Sequence, residues 1–128
     1  MNYKLCFWLS MPGLFMALAT VYFVPTSVDW ICWLAIFLFC GWMLSEKINA
    51  GYFVHGFVIS LFNCVWVTAA HVILFDDYAT HHSVEVEMMK SGPASPQAMM
   101  LVTGPVIGIL SGLVQGIIAW AISKLRGR

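Results

Sequence analysis

The sequence predicts an all-α integral membrane four-helix bundle, with both termini on the cytoplasmic side and a short helical extramembrane arm between helices 3 and 4. Three observations predict it. Of 128 residues, 61% are hydrophobic and 9% charged, against about 45–50% and about 25% in an average soluble domain; too few polar residues remain to cover a water-exposed surface. Four charge-free runs, residues 5–28, 30–45, 49–75 and 91–123, approach or exceed the roughly 20 residues that a spanning helix needs. The basic residues are also one-sided. With the N-terminus inside, cytoplasmic segments hold Lys4, Lys47, Lys124, Arg126 and Arg128, and outer segments hold only Lys90, which is the positive-inside pattern.

The first span is expected over residues 5–25. Met11-Pro12-Gly13 should kink it, because proline removes a backbone hydrogen bond. Lys4, the apolar stretch after it and Ala17-Leu18-Ala19 mimic a cleaved signal peptide. Thr20-Val21-Tyr22-Phe23-Val24 carries the apolar run past that site, which favours a retained span. The second span, residues 29–47, has the shortest charge-free run, with Trp30, Trp33 and Trp42 near its ends as an interfacial aromatic belt. The third span covers residues 50–75, and an outer arm follows over residues 76–96. Tyr78 to Lys90 contains no Gly or Pro and is expected to be helical, prolonging helix 3 until Ser91-Gly92-Pro93 ends it. Ser95-Pro96 reads as the N-cap and first residue of the fourth span, residues 97–123, where Gly104-Pro105 should introduce a second kink. The whole chain, residues 1–128, is expected to form one domain.

Asp29, Asp76, Asp77, Glu85 and Glu87 fall outside on this map, so no acid or base is expected within a span. Six basic and six acidic residues cancel, which argues against a nucleic-acid partner. Cys6, Cys32, Cys40 and Cys64 all lie in apolar stretches without a C-x-x-C spacing, as buried thiols do.

The most specific pattern is one of packing. Gly104, Gly108, Gly112 and Gly116 recur every fourth residue of helix 4, which makes a glycine zipper: a groove where another backbone can approach, and close approach drives helix association in lipid. Gly56, Ser60, Cys64 and Thr68 form a matching small-residue stripe on helix 3. The groove is expected to face that stripe within one molecule, or its own copy in a homo-oligomer.

Polar groups inside a membrane are functional candidates; here they are His55, Asn63 and His71 on helix 3 and Gln115 on helix 4. Asn63 and Gln115 lie at similar depths, where a hydrogen-bonded clasp between the helices is expected. On a helical arm, Asp77, His81 and Glu85 would share one face at i, i+4 and i+8, an imidazole–carboxylate set suited to a divalent metal or a pH response, beside the simpler reading of a solvated acidic face. The chain has no phosphate-cradling glycine loop and no nucleophile elbow, so neither an enzyme nor a cofactor is expected.

Four spans, the arm Val84-Glu85-Val86-Glu87-Met88-Met89-Lys90, a glycine-rich last helix and a basic tail resemble families of uncharacterised small bacterial inner-membrane proteins, over roughly residues 51–128. The resemblance implies a multi-pass protein of the inner (plasma) membrane and brings no activity with it. Length and span count are also similar to those of small multidrug transporters. That family carries a membrane-embedded glutamate in its first helix and this chain has none there, which counts against proton-coupled drug export by that mechanism. The functional expectation is a non-enzymatic structural, accessory or oligomeric component, in contact with the lipid bilayer and with its own copies or another membrane protein. The alternatives are a small transporter or channel, and a metal- or pH-responsive sensor that uses the arm.

Overall fold

Four helical stretches are long and apolar enough to cross a membrane: Tyr3–Tyr22, Thr26–Lys47, Tyr52–Ile73 and Pro96–Leu125. They belong to a computed structural model that describes residues 1–128 and holds seven helices and no strand. The first stretch is divided. α1 (Tyr3–Leu9) stops at Ser10, and α2 (Met11–Tyr22) restarts with Pro12 in its first turn, where the missing N–H costs nothing. The proline expected to kink one helix therefore begins a second one.

α3 (Thr26–Lys47) follows after only three residues. Pro25, with extended backbone, precedes its first residue. The helix thus starts before the expected residue 29, and Asp29 lies in its first turn, where an acid complements the helix dipole. The helix therefore carries this acid one turn in, where the expected bounds set it at the first residue. Gly51, at φ 73°, supplies the left-handed residue that turns the chain into α4 (Tyr52–Ile73).

The arm is not a straight prolongation of α4. The chain breaks at Leu74, forms α5 (Phe75–His81), breaks again at His82 and forms α6 (Ser83–Lys90). Tyr78 of α5 and Val86 of α6 are buried with Ala17, Val21, Ala70 and Met100 in one apolar cluster. The arm therefore folds its apolar side over the helix ends, while Asp76, Asp77, His81 and Glu87 stay exposed, as a solvated acidic face requires. α7 (Pro96–Leu125) begins as Ser95-Pro96 predicts: the Ser95 hydroxyl accepts from the Ala98 N–H at 3.3 Å. It stays helical through Pro105.

α4 packs most extensively on α7 and also meets α1, α2, α3 and α5. A second core cluster, with Cys6, Leu9, Cys40, Leu44, Tyr52, Ile59 and Ala119, joins α1, α3, α4 and α7. Near it both chain ends meet the α3–α4 turn. The Asn2 N–H donates to His55 Nε2 at 3.1 Å, and Arg126 donates to the Ser45 hydroxyl at 2.7 Å while pairing with Glu46. We call this the termini end and the opposite one the arm end. Large apolar side chains remain exposed along the outward sides of α3 and α7, among them Ile31, Leu38, Phe39, Leu101, Ile109 and Leu110. Water would not tolerate so continuous a surface; hydrocarbon would.

Candidate functional site: a cleft between the third and seventh helices

The small residues of α7 and α4 set how closely the helices approach. A Cβ added at Gly108 would lie 2.6 Å from Cys64 Cβ, at Gly112 2.9 Å from the Phe57 ring, and at Gly116 2.8 Å from the Phe53 ring. One at Gly104 would overlap the Thr68 hydroxyl. The α7 glycines thus face α4 of the same molecule. The partner row changes midway, from Thr68 and Cys64 to Phe57 and Phe53. Each step of four residues advances about 400°, so a stripe of i+4 positions drifts about 40° per step and hands the contact to the next row. Gly56 faces the backbone of Gln115 instead, with its added Cβ 2.8 Å from the Gln115 carbonyl. Ser60 bonds to the Ser111 hydroxyl at 2.9 Å, and the Cys64 thiol donates to the Gly104 carbonyl at 3.0 Å. Polar side chains thereby spend their hydrogen bonds across the interface.

α3 meets α7 closely at the termini end, where a Cβ on Gly41 would lie 3.3 Å from Ala119 Cα. Toward the arm end a cleft of about 600 Å³ lies between them. Asp29, Trp30, Trp33, Leu34 and Phe37 form its α3 wall. Met100, Thr103, Ile107, Ser111 and Val114 stand on the α7 side, and Ser60, Asn63, Cys64, Thr68 and His71 of α4 form the floor. Met89 of the arm closes one end.

Asn63 is only 3% exposed, and neither of its amide atoms has a hydrogen-bond partner. It lies against α2, where Gly13 has no side chain to obstruct it; a Cβ there would overlap its carboxamide. Gln115 is fully buried and equally unpartnered. The expected clasp between Asn63 and Gln115 is therefore absent: Asn63 faces α2 while the Gln115 backbone faces Gly56. An unmade hydrogen bond of this kind costs about 1–3 kcal/mol. One Asp29 carboxylate oxygen is likewise buried without a partner.

The histidines do not share a site. His55 donates from Nδ1 to the Gly51 carbonyl at 2.8 Å while Nε2 accepts from Asn2, which assigns the neutral tautomer and a bracing role at the termini end. His71 and His82 sandwich Tyr78, with ring centroids 4.4 Å and 4.5 Å away. His71 Nε2 lies 3.2 Å from the Thr20 hydroxyl, and His82 Nε2 donates to the Thr20 carbonyl at 2.5 Å. That carbonyl belongs to the last turn of α2, where helices lack internal donors, so His82 caps the helix from the arm. Burial, then the charges of Glu85 and Asp29, push the Tyr78 phenol up and keep it neutral.

Asp77, His81 and Glu85 are not brought together, because the break at His82 divides the helix that would have aligned them. Asp77 accepts from the Tyr22 hydroxyl at 3.0 Å, His81 Nδ1 bonds to the Asp77 backbone carbonyl, and Glu85 accepts from the Thr26 hydroxyl at 2.5 Å. The Thr26 hydroxyl holds the Glu85 carboxyl below the ordinary carboxylate range. No three His, Cys, Asp or Glu side chains converge to hold a metal ion.

No family model, curated protein or solved structure matches the chain. The cleft, and the two residues that sequence reasoning passed over, Asp29 and His82, therefore carry the functional argument. Pro25-Thr26-Ser27 was the available signal for Asp29, since proline favours the first positions of a helix and an acid its first turn.

Proposed function

We propose that the chain is a non-enzymatic multi-pass membrane protein of the small-transporter class, whose work is to hold a small, mostly apolar molecule in the cleft between α3 and α7. The observation that carries this reading is the cleft of about 600 Å³ itself, apolar on most of its walls, with the carboxylate of Asp29 at its arm end and no lysine or arginine paired with it. Polar groups at membrane depth are costly and persist where they serve a substrate or a partner, and the volume suits a drug-sized molecule. The positive-inside asymmetry supports an N-in/C-in arrangement in an inner (plasma) membrane. The α7 glycines serve in this reading as an internal glycine zipper against α4.

Equilibrium dialysis of the detergent-solubilised protein against neopentylnaphthalene, with protein-free micelles as the blank, tests it. Saturable uptake is expected, and Thr103→Trp, which fills the cleft from α7, should abolish it. Non-saturable uptake, or uptake indifferent to Thr103→Trp, would overturn the reading. A second reading, an accessory or oligomeric component, draws on the exposed apolar side of α3. It predicts a detergent-corrected mass above one chain that falls when Leu38 and Phe39 are replaced by Ala.

A further inference from the structure

The cleft is apolar on most of its walls, yet one carboxylate stands at its arm end. Asp29 is half-buried and one of its oxygens has no partner. No lysine or arginine forms a salt bridge with it: Lys90 pairs with Glu87 and Arg126 with Glu46. The ionisable groups around it are His82, which already donates to the Thr20 carbonyl, the neutral Tyr78, and Glu85, which is held by the Thr26 hydroxyl one turn earlier on α3. Trp33 lies directly beside the carboxylate, and Trp30 and Phe37 line the same wall. A charge next to hydrocarbon calls for a counter-charge, and aromatic faces attract cations, most strongly where water is excluded. Met89 and Met100, at the same end, are flexible and polarisable enough to pack against varied shapes.

The geometry points to an organic monocation as the occupant of the cleft: an ammonium or similar head beside Asp29 and the tryptophans, with an apolar body lying along α7 toward Val114. This inference rests on the cleft-binding reading above and adds the charge and chemical class of the ligand. One carboxylate whose imidazole neighbour, His82, is already engaged with the Thr20 carbonyl selects a single positive charge. The apolar walls below it offer nothing to a second charge and suit an aromatic or aliphatic body. Anions meet an unopposed carboxylate and are excluded.

The test compares two molecules of one shape, naphthylmethyl-trimethylammonium and its uncharged carbon isostere neopentylnaphthalene, by equilibrium dialysis against the full-length protein in a non-ionic detergent. The cation should bind about tenfold more tightly than the isostere, from the combined ionic and cation–π contributions. Asp29→Asn should erase that preference and leave the affinity for the isostere within about twofold, whereas Asp29→Glu should keep it. Trp33→Leu, which retains the carboxylate, should reduce the preference to about threefold; this variant serves if Asp29→Asn does not give a monodisperse protein. Equal affinities of the wild type for both molecules would overturn the inference and leave the cleft-binding reading standing. A preference that survives both Asp29→Asn and Trp33→Leu would overturn it as well, by placing the cation elsewhere. Binding of neither molecule would overturn both.

Discussion

The two halves of the molecule use the same helices for opposite ends. At the termini end, α3, α4 and α7 are drawn together by residues without bulk: Gly41 against Ala119, Gly56 against the Gln115 carbonyl, and Gly112 and Gly116 against phenylalanine rings. At the arm end, α3 and α7 carry Trp33, Phe37, Ile107 and Val114 at the corresponding faces and enclose a cleft. Close approach in lipid depends on dispersion and hydrogen bonds rather than on expulsion of water, so a helix pair closes where small residues permit it and stays apart where large ones do not. The chain thus builds a packed end and an open end from one pair of helices; of the three residues with buried polar atoms that lack partners, Asn63 and Asp29 border the open end and Gln115 lies at the packed one.

The contrast breaks most visibly at Gly108. A leucine there would force α7 away from Cys64 along the whole contact, and overpacking of this kind costs about 1–3 kcal/mol or more. Loss of monodisperse protein, or a large fall in the melting temperature, is the expected result by size-exclusion chromatography and thermal scanning. Ile107→Leu, one residue away on the cleft wall, should change stability by less than about 0.5 kcal/mol. Similar losses for the two would show that the α4-facing and cleft-facing sides of α7 are packed alike. At the arm, His82→Ala leaves the Thr20 carbonyl without its donor and opens a gap beside Tyr78. A loss of about 1–3 kcal/mol is expected, read as faster proteolysis between Leu74 and Ser95 while the spans stay folded.

Features that live on one helix were readable from the sequence. The hydropathy of the four spans, the Ser95 cap and the four-residue spacing of the α7 glycines are local, and each follows from one segment's own chemistry. What could not be read depends on how two segments meet. From the sequence Asp29 is the headgroup-level first residue of the second span; only the extra turn after Pro25 carries it one turn into α3 and to the cleft. Asn63 and Gln115 match in depth, but depth does not set azimuth, and the turn of α4 aims Asn63 at Gly13. His81 and His82 look interchangeable in sequence, and the break between α5 and α6 leaves one exposed and buries the other.

Asn63 sharpens the comparison in the opposite direction. Its amide lies against Gly13 of α2 without a partner, a cost to the folded protein, so Asn63→Leu should raise stability by about 1–2 kcal/mol, as removal of an unpaired buried polar group does. Ser60→Leu, on the same floor, should destabilise, because the Ser60 hydroxyl bonds to Ser111 across the packed interface. A loss of stability in Asn63→Leu, read by thermal scanning, would mean that the amide is structural where α4 meets Gly13 of α2.

The smallest expected effect concerns how the arm is held over the cleft. Glu85 accepts from Thr26 at the start of α3, and that bond lowers its affinity for a proton relative to an unstructured glutamate. A carboxyl depressed in the folded state stabilises that state above its ordinary value, near 4.5, and the contribution disappears as pH falls through the lower folded value. Hydrogen exchange in α6 should therefore be slow and nearly constant from about pH 7 to about pH 5, once corrected for intrinsic rates, and become relatively faster in more acid solution. Glu85→Gln should lose most of this added acid sensitivity, because an amide accepts from Thr26 at every pH. Since Glu85 is partly exposed, solvent screens the bond and the change should be modest. An acid dependence unchanged in Glu85→Gln would move the latch to Asp77, which accepts from Tyr22 on the other side of the arm, and would make α5 rather than α6 the element that holds the open end in shape.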